Sequence, residues 1–194
     1  MPVVEFHELT LSLNVAGRRA DVLREINLQV EPGRVLGLVG ESGAGKSMLG
    51  RMIAGEVPKG FSVSHGFVRF EGRDLMALPR AAHRALLGRR IAFIPQEPLS
   101  GLNPVLTVRQ QLFEHLAHVG APKARWRDIA RERLAEVGLP DGDAILARYP
   151  HQLSGGQCQR ILIAMAFCGE PALIVADEPT TALDVMTQAQ IMRV

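Results

Sequence analysis

The sequence predicts an α/β fold with a mostly parallel sheet, an N-terminal antiparallel β portion and an inserted helical subdomain. Three observations carry that expectation. Short apolar or alternating runs, the mark of strands, recur between segments with helical spacing. Two of these runs, residues 34–39 and 173–176, lead straight into glycine-rich or acidic loops, as parallel strands do at their C-terminal ends. Between Glu97 and Pro150 the strand-like runs disappear. The 194 residues suffice for one domain with a substantial core and a smaller subdomain. A composition of 47% hydrophobic and 22% charged residues is ordinary for a globular chain, and a net charge of +2 gives no electrostatic case for nucleic acid.

The elements follow in order. Residues 3–13 partly alternate, and Ile26, Leu28 and Val30 alternate strictly, as half-buried strands do. Glu31-Pro32-Gly33 reads as a turn, and the apolar run 34–39 as a strand. A helix should follow Lys46 and end near Gly55. Val68 and Phe70 mark another strand, closed by the Glu71-Gly72 turn; residues 79–90 look helical, and 91–94 form a buried strand ending at Pro95-Gln96. Thr107 with Gln110 makes a capping box for the next helix, through Leu112 and Leu116. Ala130, Leu134 and Val137 share a helical face that stops at Gly138. From Ser154 a helix carries Ile161, Ala164, Met165 and Cys168 at helical spacing, and Pro171 follows its end. These readings assign 1–96 and 160–194 to the α/β core and 97–159 to the helical subdomain.

Two classes are disfavoured. Cys158 and Cys168 cannot build a disulfide framework and have no metal-ligand spacing. The N-terminus lacks the basic-then-apolar pattern of a signal peptide, and the apolar stretch 161–176 is interrupted by Gly169, Glu170 and Pro171. A soluble, cytosolic protein is expected, with any membrane role exercised through partners.

Gly40-Glu41-Ser42-Gly43-Ala44-Gly45-Lys46-Ser47 fits the pattern of a P-loop and lies between an expected strand and an expected helix. Glycines let backbone N–H groups close around phosphates, and the helix N-terminus favours negative charge. Lys46 should reach the β- and γ-phosphates and the Ser47 hydroxyl should ligate magnesium. The bland alternative is a glycine-rich turn with an incidental lysine. Asp177 and Glu178 follow the last apolar run, where the first would hold magnesium and the second would orient or deprotonate the attacking water. Acidic residues opening a surface loop would look the same without the P-loop. Leu153-Ser154-Gly155-Gly156-Gln157 precedes a helix with Ser154 at its N-cap, a second anion cradle. A capped helix after a glycine turn is its plainer reading, which physics alone does not exclude.

Taken in order, these motifs resemble those of the ATP-binding-cassette (ABC) family. LSGGQ looks like its signature sequence, GESGAGKS like Walker A, Gln96 like the Q-loop glutamine and LIVADE like Walker B with its catalytic glutamate. Thr181-Ala182-Leu183-Asp184 looks like the D-loop. The segments PQEPLSGLNPVLTV and YPHQLSGGQCQRILIAMA are similar to those of the oligopeptide, dipeptide and nickel importer ATPases. The resemblance implies a P-loop NTPase core and an ATPase that uses ATP and Mg2+, with Glu178 and Gln96 in catalysis. Gly40, Glu41, Ser42, Gly43, Ala44, Gly45, Lys46 and Ser47 would bind ATP, and Ser47, Gln96 and Asp177 would hold magnesium. Leu153, Ser154, Gly155, Gly156 and Gln157 would act on a partner's ATP in trans, with Asp184 in the D-loop.

The partners implied are a second ABC ATPase subunit in a homo- or heterodimer, two transmembrane permease subunits near the surface at residues 99–104, and indirectly an extracytoplasmic solute-binding protein. No nucleic acid is expected. The implied place is the cytoplasmic face of the inner membrane, and the implied cargo peptides, nickel or a similar small solute. A nucleotide-binding remnant without turnover, or a non-transport ABC ATPase, is the alternative.

Three departures qualify the resemblance. The family's adenine-stacking aromatic falls here at Leu13 or Asn14, and Cys158 stands where a basic or amide residue is usual; a small buried thiol is the expected role of Cys158. The family's switch histidine lies beyond Walker B, past Val194, so the chain reads as C-terminally incomplete, and His151, which precedes the signature, does not take that role.

Overall fold

The computed structural model describes residues 1–15, 18–41 and 43–179. The chain forms two compact units, dividing between Leu87 and Gly88.

The first unit is built on an antiparallel sheet of order β2-β1-β3-β4, from β1 (Val4–Val15), β2 (Arg18–Val30), β3 (Phe61–Phe70) and β4 (Arg73–Asp74). Its buried side chains explain why the N-terminal alternation is only partial. Val4 and Phe6 face the core, and so do Leu9 and Leu11, which lie on the opposite parity. A bulge reconciles them: the β1–β2 register shifts between Phe6 and Leu9, with Glu8 at φ 45°. The extra residue resets the period-2 pattern, so both pairs point inward. Glu25, at φ 48°, is the matching irregularity on β2, and its N–H donates to Thr10 Oγ1 (3.2 Å).

Helix α1 (Lys46–Ile53) buries Leu49, Met52 and Ile53. Its C-terminal end is tied by His83, a buried residue of α2 (Arg80–Leu86), whose Nε2 meets the Ile53 carbonyl at 2.8 Å. A Cβ on the neighbouring Gly55 would press on the His83 ring at 3.0 Å, so this junction leaves no room for a larger residue.

The run 34–39 differs from expectation. Residues 34–40 make no strand ladder among the described residues, and Val35 and Val39 are 94% and 98% exposed. Apolar composition gives a segment the preference for a strand, but pairing with a neighbour makes it one.

The second unit, from Gly88 onward, pairs β5 (Ile91–Ile94) with β6 (Leu173–Ala176) in parallel, Ile91 opposite Leu173 and Ile94 opposite Ala176. Helix α6 (Gly155–Phe167) packs on β5, and α3 (Val108–Val119), α4 (Trp126–Glu136) and α5 (Gly142–Ala147) pack with it and with one another. One apolar core unites Leu112, Leu116, Ala130, Leu134, Ile145, Ile161 and Ala164 with Ala92 and Ile94 of β5. The expected capping box opens α3: Thr107 Oγ1 accepts from Gln110 N–H, and Gln110 Oε1 accepts from Thr107 N–H. Helix α4 stops where Gly138 takes φ 74°. No helix among the described residues is long and apolar enough to cross a membrane.

Candidate nucleotide site

In the first unit the phosphate loop turns on Gly43 and Gly45, at φ 84° and 88°, with Ala44 N–H donating to the Glu41 carbonyl at 3.2 Å. Gly45 is the N-cap of α1 and supplies no side-chain acceptor. The helix therefore starts without a side-chain cap of its own, an arrangement that suits an anion site. Lys46 folds back over the loop, its Nζ donating to the carbonyls of Gly40 (2.7 Å) and Glu41 (2.8 Å). Leu23 of β2 lies beneath: a Cβ added to Gly45 would collide with Leu23 Cδ2. Leu23 is the buried residue of β2 and lies on the opposite parity from Ile26, Leu28 and Val30, so their alternation gave no sign of it. Ser42 lies outside the described residues. At the end of β1, Asn14 N–H donates to the Gly60 carbonyl (2.8 Å), and neither Leu13 nor Asn14 brings an aromatic ring.

In the second unit the parallel pairing of β5 and β6 brings two distant segments together. Asp177 N–H continues the ladder by donating to the Ile94 carbonyl (3.0 Å). Two residues beyond each strand end, Gln96 Nε2 donates to Glu178 Oε2 at 2.7 Å, joining positions 82 apart in the chain. Glu178 holds φ 46°, a left-handed conformation that costs a residue with a Cβ about 1–2 kcal/mol. Such strain at a strand mouth aims a side chain where the ordinary backbone would not. Ser47 in the first unit carries a hydroxyl oxygen, and Gln96 and Asp177 in the second carry amide and carboxylate oxygens. That chemistry fits magnesium completed by phosphate oxygens and water.

The second anion cradle opens α6. Ser154 is its N-cap, with Ser154 Oγ accepting from Gln157 N–H (3.2 Å) and Gln157 Oε1 accepting from Ser154 N–H (3.0 Å). A Cβ at Gly155 would meet nothing within 4 Å, so the space before the helix is open. Leu153 is half-buried against the core. Arg160 fastens the helix by donating through NH1 to the Gly138 carbonyl at 2.9 Å. Cys158 is fully buried over the Pro150 carbonyl, and burial pushes its thiol pKa up, as a packing role requires. Burial, reinforced by the neighbouring His118, lowers the pKa of His115 on α3.

Sequence reasoning passed over Gln159. It is wholly buried, and neither its Nε2 nor its Oε1 has a partner among the described residues. Each buried polar group left unpaired costs about 1–3 kcal/mol. The signal was present, because Gln159 interrupts an otherwise apolar helical face. Asp184 and the rest of the expected D-loop lie outside the described residues.

Comparison with known proteins bears on these half-sites. The ABC transporter family profile matches residues 23–181. The chain belongs to the ABC transporter family. It is 44% identical to the dipeptide transport ATP-binding protein DppD of Haemophilus influenzae, across 99% of this chain and 58% of that protein. It is 39% identical to the probable D,D-dipeptide transport ATP-binding protein DdpD of Escherichia coli, across 99% of this chain and 59% of the relative. The chain thus spans somewhat over half the length of these relatives. Among solved structures it superposes on the dimeric ATP-binding cassette MJ0796 in a post-hydrolysis state bound to ADP and Pi. There the TM-score is 0.85 at 28% identity, with 98% of this chain and 80% of that one covered. The expected fold, cassette ATPase units with an antiparallel N-terminal sheet and a parallel sheet, agrees with that neighbour.

Proposed function

We propose that this chain is the ATP-binding and hydrolysing subunit of an importer for peptides or a similar small solute. The contact between Gln96 and Glu178 carries the reading. It puts an amide and a carboxylate at the ends of two adjacent parallel strands, where such sheets bind ligands. Glu178 would polarise the attacking water, and Gln96 would sense the γ-phosphate and magnesium. Lys46 and the uncapped start of α1 would bind the phosphates; Ser47, Gln96 and Asp177 would hold the Mg2+, which stabilises charge on the transferring phosphoryl group when bound. The peptide-transport names of the DppD and DdpD relatives support the cargo class.

The reading extends to assembly. The capped, open cradle at Ser154–Gln157 would receive nucleotide held by a second ATPase subunit, and the dimeric MJ0796 neighbour supports that arrangement. Two membrane permeases would engage the surface that includes Leu99 and Val105, exposed by 60% and 75%, placing the chain at the cytoplasmic face of the membrane. A solute-binding protein would act through those permeases.

The test is Glu178→Gln in the full-length protein with its partners. The amide preserves shape and abolishes basicity, so steady-state ATP hydrolysis should fall by about 100-fold or more. ATP binding should persist, and ATP should trap a dimer visible by size-exclusion chromatography. Wild-type turnover in this variant would remove Glu178 from the chemistry.

A further inference from the structure

Gln159 has no use in the site as described, yet its position is informative. It lies one turn into α6, the helix that begins at the signature cradle. Three residues on, Leu162 shares its stripe, since side chains at i and i+3 are neighbours. That stripe packs on the segment following Gln96: a Cβ at Gly101 would touch Leu162 at 2.8 Å and Pro95 at 3.1 Å. Helix α6 lies against the Pro98–Gly101 turn and β5. The buried amide therefore lies on the helix stripe that carries Leu162, within a turn of the signature cradle.

A primary amide offers two donors and an acceptor, and a buried one is normally hydrogen-bonded. A methionine or leucine would fill the same space without an unmet demand. Without a partner among the described residues, the amide has capacity for bonds that another conformation would supply. Gln96 is held by Glu178 through its Nε2.

We propose that Gln159 is a positioning residue coupling the Gln96 segment to the signature helix. When nucleotide draws Gln96 away from Glu178, the backbone of residues 97–101 shifts and hydrogen-bonds the Gln159 carboxamide. The signature cradle is thereby set in register with an occupied site. This inference rests on the nucleotide role given above to Gln96.

The experiment compares wild type with Gln159→Met and Gln159→Leu in the full-length protein and its partner complex. Both variants should melt at or above the wild-type temperature, because an unmet polar group has been removed. Their kcat for ATP hydrolysis should fall about tenfold, equivalent to about 1.4 kcal/mol, with KM for ATP within about twofold. Hydrogen exchange supplies a readout independent of turnover. A non-hydrolysable ATP analogue should slow amide exchange at residues 97–101 in wild type and not in the variants. A lowered melting temperature in both variants would show that the amide is already satisfied, and would overturn the proposal. Wild-type kcat, or wild-type exchange protection, in the variants would overturn it equally. Failure of the wild type to bind the analogue would instead sink the nucleotide role of Gln96, and this inference with it.

Discussion

The chain begins two helices at anion cradles, and it builds them in opposite ways. Helix α1 starts on Gly45, left-handed and without a capping side chain, while α6 starts on Ser154 inside a reciprocal capping box with Gln157. The first end has no side-chain cap, and Lys46 donates to the carbonyls of Gly40 and Glu41. The second end is complete on its own, with an open space before Gly155. An uncapped start gains most from a ligand, because the ligand supplies what the helix lacks. A capped start gains less and stands ready regardless. The first design suits a chain's own tightly held nucleotide, and the second a surface that meets a nucleotide brought by a partner.

The largest effect expected from this contrast is at Lys46. Lys46→Ala removes a charge-assisted donor to phosphate, and Mg-ATP affinity should drop by about 100-fold, near 3 kcal/mol. Its two bonds in the ligand-free loop go to carbonyls at an exposed position, so the melting temperature should hardly move. Nucleotide titration with a parallel thermal melt checks both halves. A large loss of stability would mean that Lys46 is a structural strut of the loop, and the contrast with α6 would then shrink.

The next effect in size separates the two cradles by backbone alone. Gly45→Ala places a Cβ at φ 88° and against Leu23 Cδ2. Left-handed strain and the displaced leucine should together cost about 2–3 kcal/mol, read by denaturant unfolding. Leu23→Ala in the same background relieves the clash but not the strain. A double variant no more stable than expected from adding the two single changes would show that Leu23 is not the obstacle.

How much of this was visible beforehand follows the range of the interactions. The Thr107–Gln110 box and the Ser154 N-cap are local, set by residues within one turn, and both were read from sequence; the reciprocal bond from Gln157 was not. The bulge at Glu8 was visible only as a fault in the alternation, since its cause is the register of β1 on β2. The strand expected at residues 34–39 failed because a ladder needs a neighbour that composition does not name. Glu178 was chosen from its place after an apolar run and Gln96 from motif resemblance; their contact at 2.7 Å depends on the parallel pairing of β5 with β6. Gln159 escaped because burial without a partner is a property of the packed molecule.

The smallest effects test whether α6 is self-sufficient at its start. Ser154→Ala deletes the hydroxyl that accepts from Gln157 N–H, and loss of such an N-cap costs about 1 kcal/mol. Gly155→Ala should do the reverse. Gly155 is the first helical residue, its φ is not left-handed, and an added Cβ meets no atom within 4 Å. Alanine there should stabilise the helix by about 0.5–1 kcal/mol by narrowing the unfolded ensemble. The opposite signs at adjacent positions are the discriminating feature. A cradle built for this chain's own fold would tolerate Gly155→Ala in every assay. A cradle built for a partner's phosphates would gain stability in the isolated chain yet lose ATP-driven dimerisation, because the new methyl stands in the open space the phosphates would enter. Thermal melting of the single variants, followed by ATP-dependent dimerisation in the Glu178→Gln background, measures the two quantities separately. Full dimerisation by Gly155→Ala would overturn the trans role assigned to the signature.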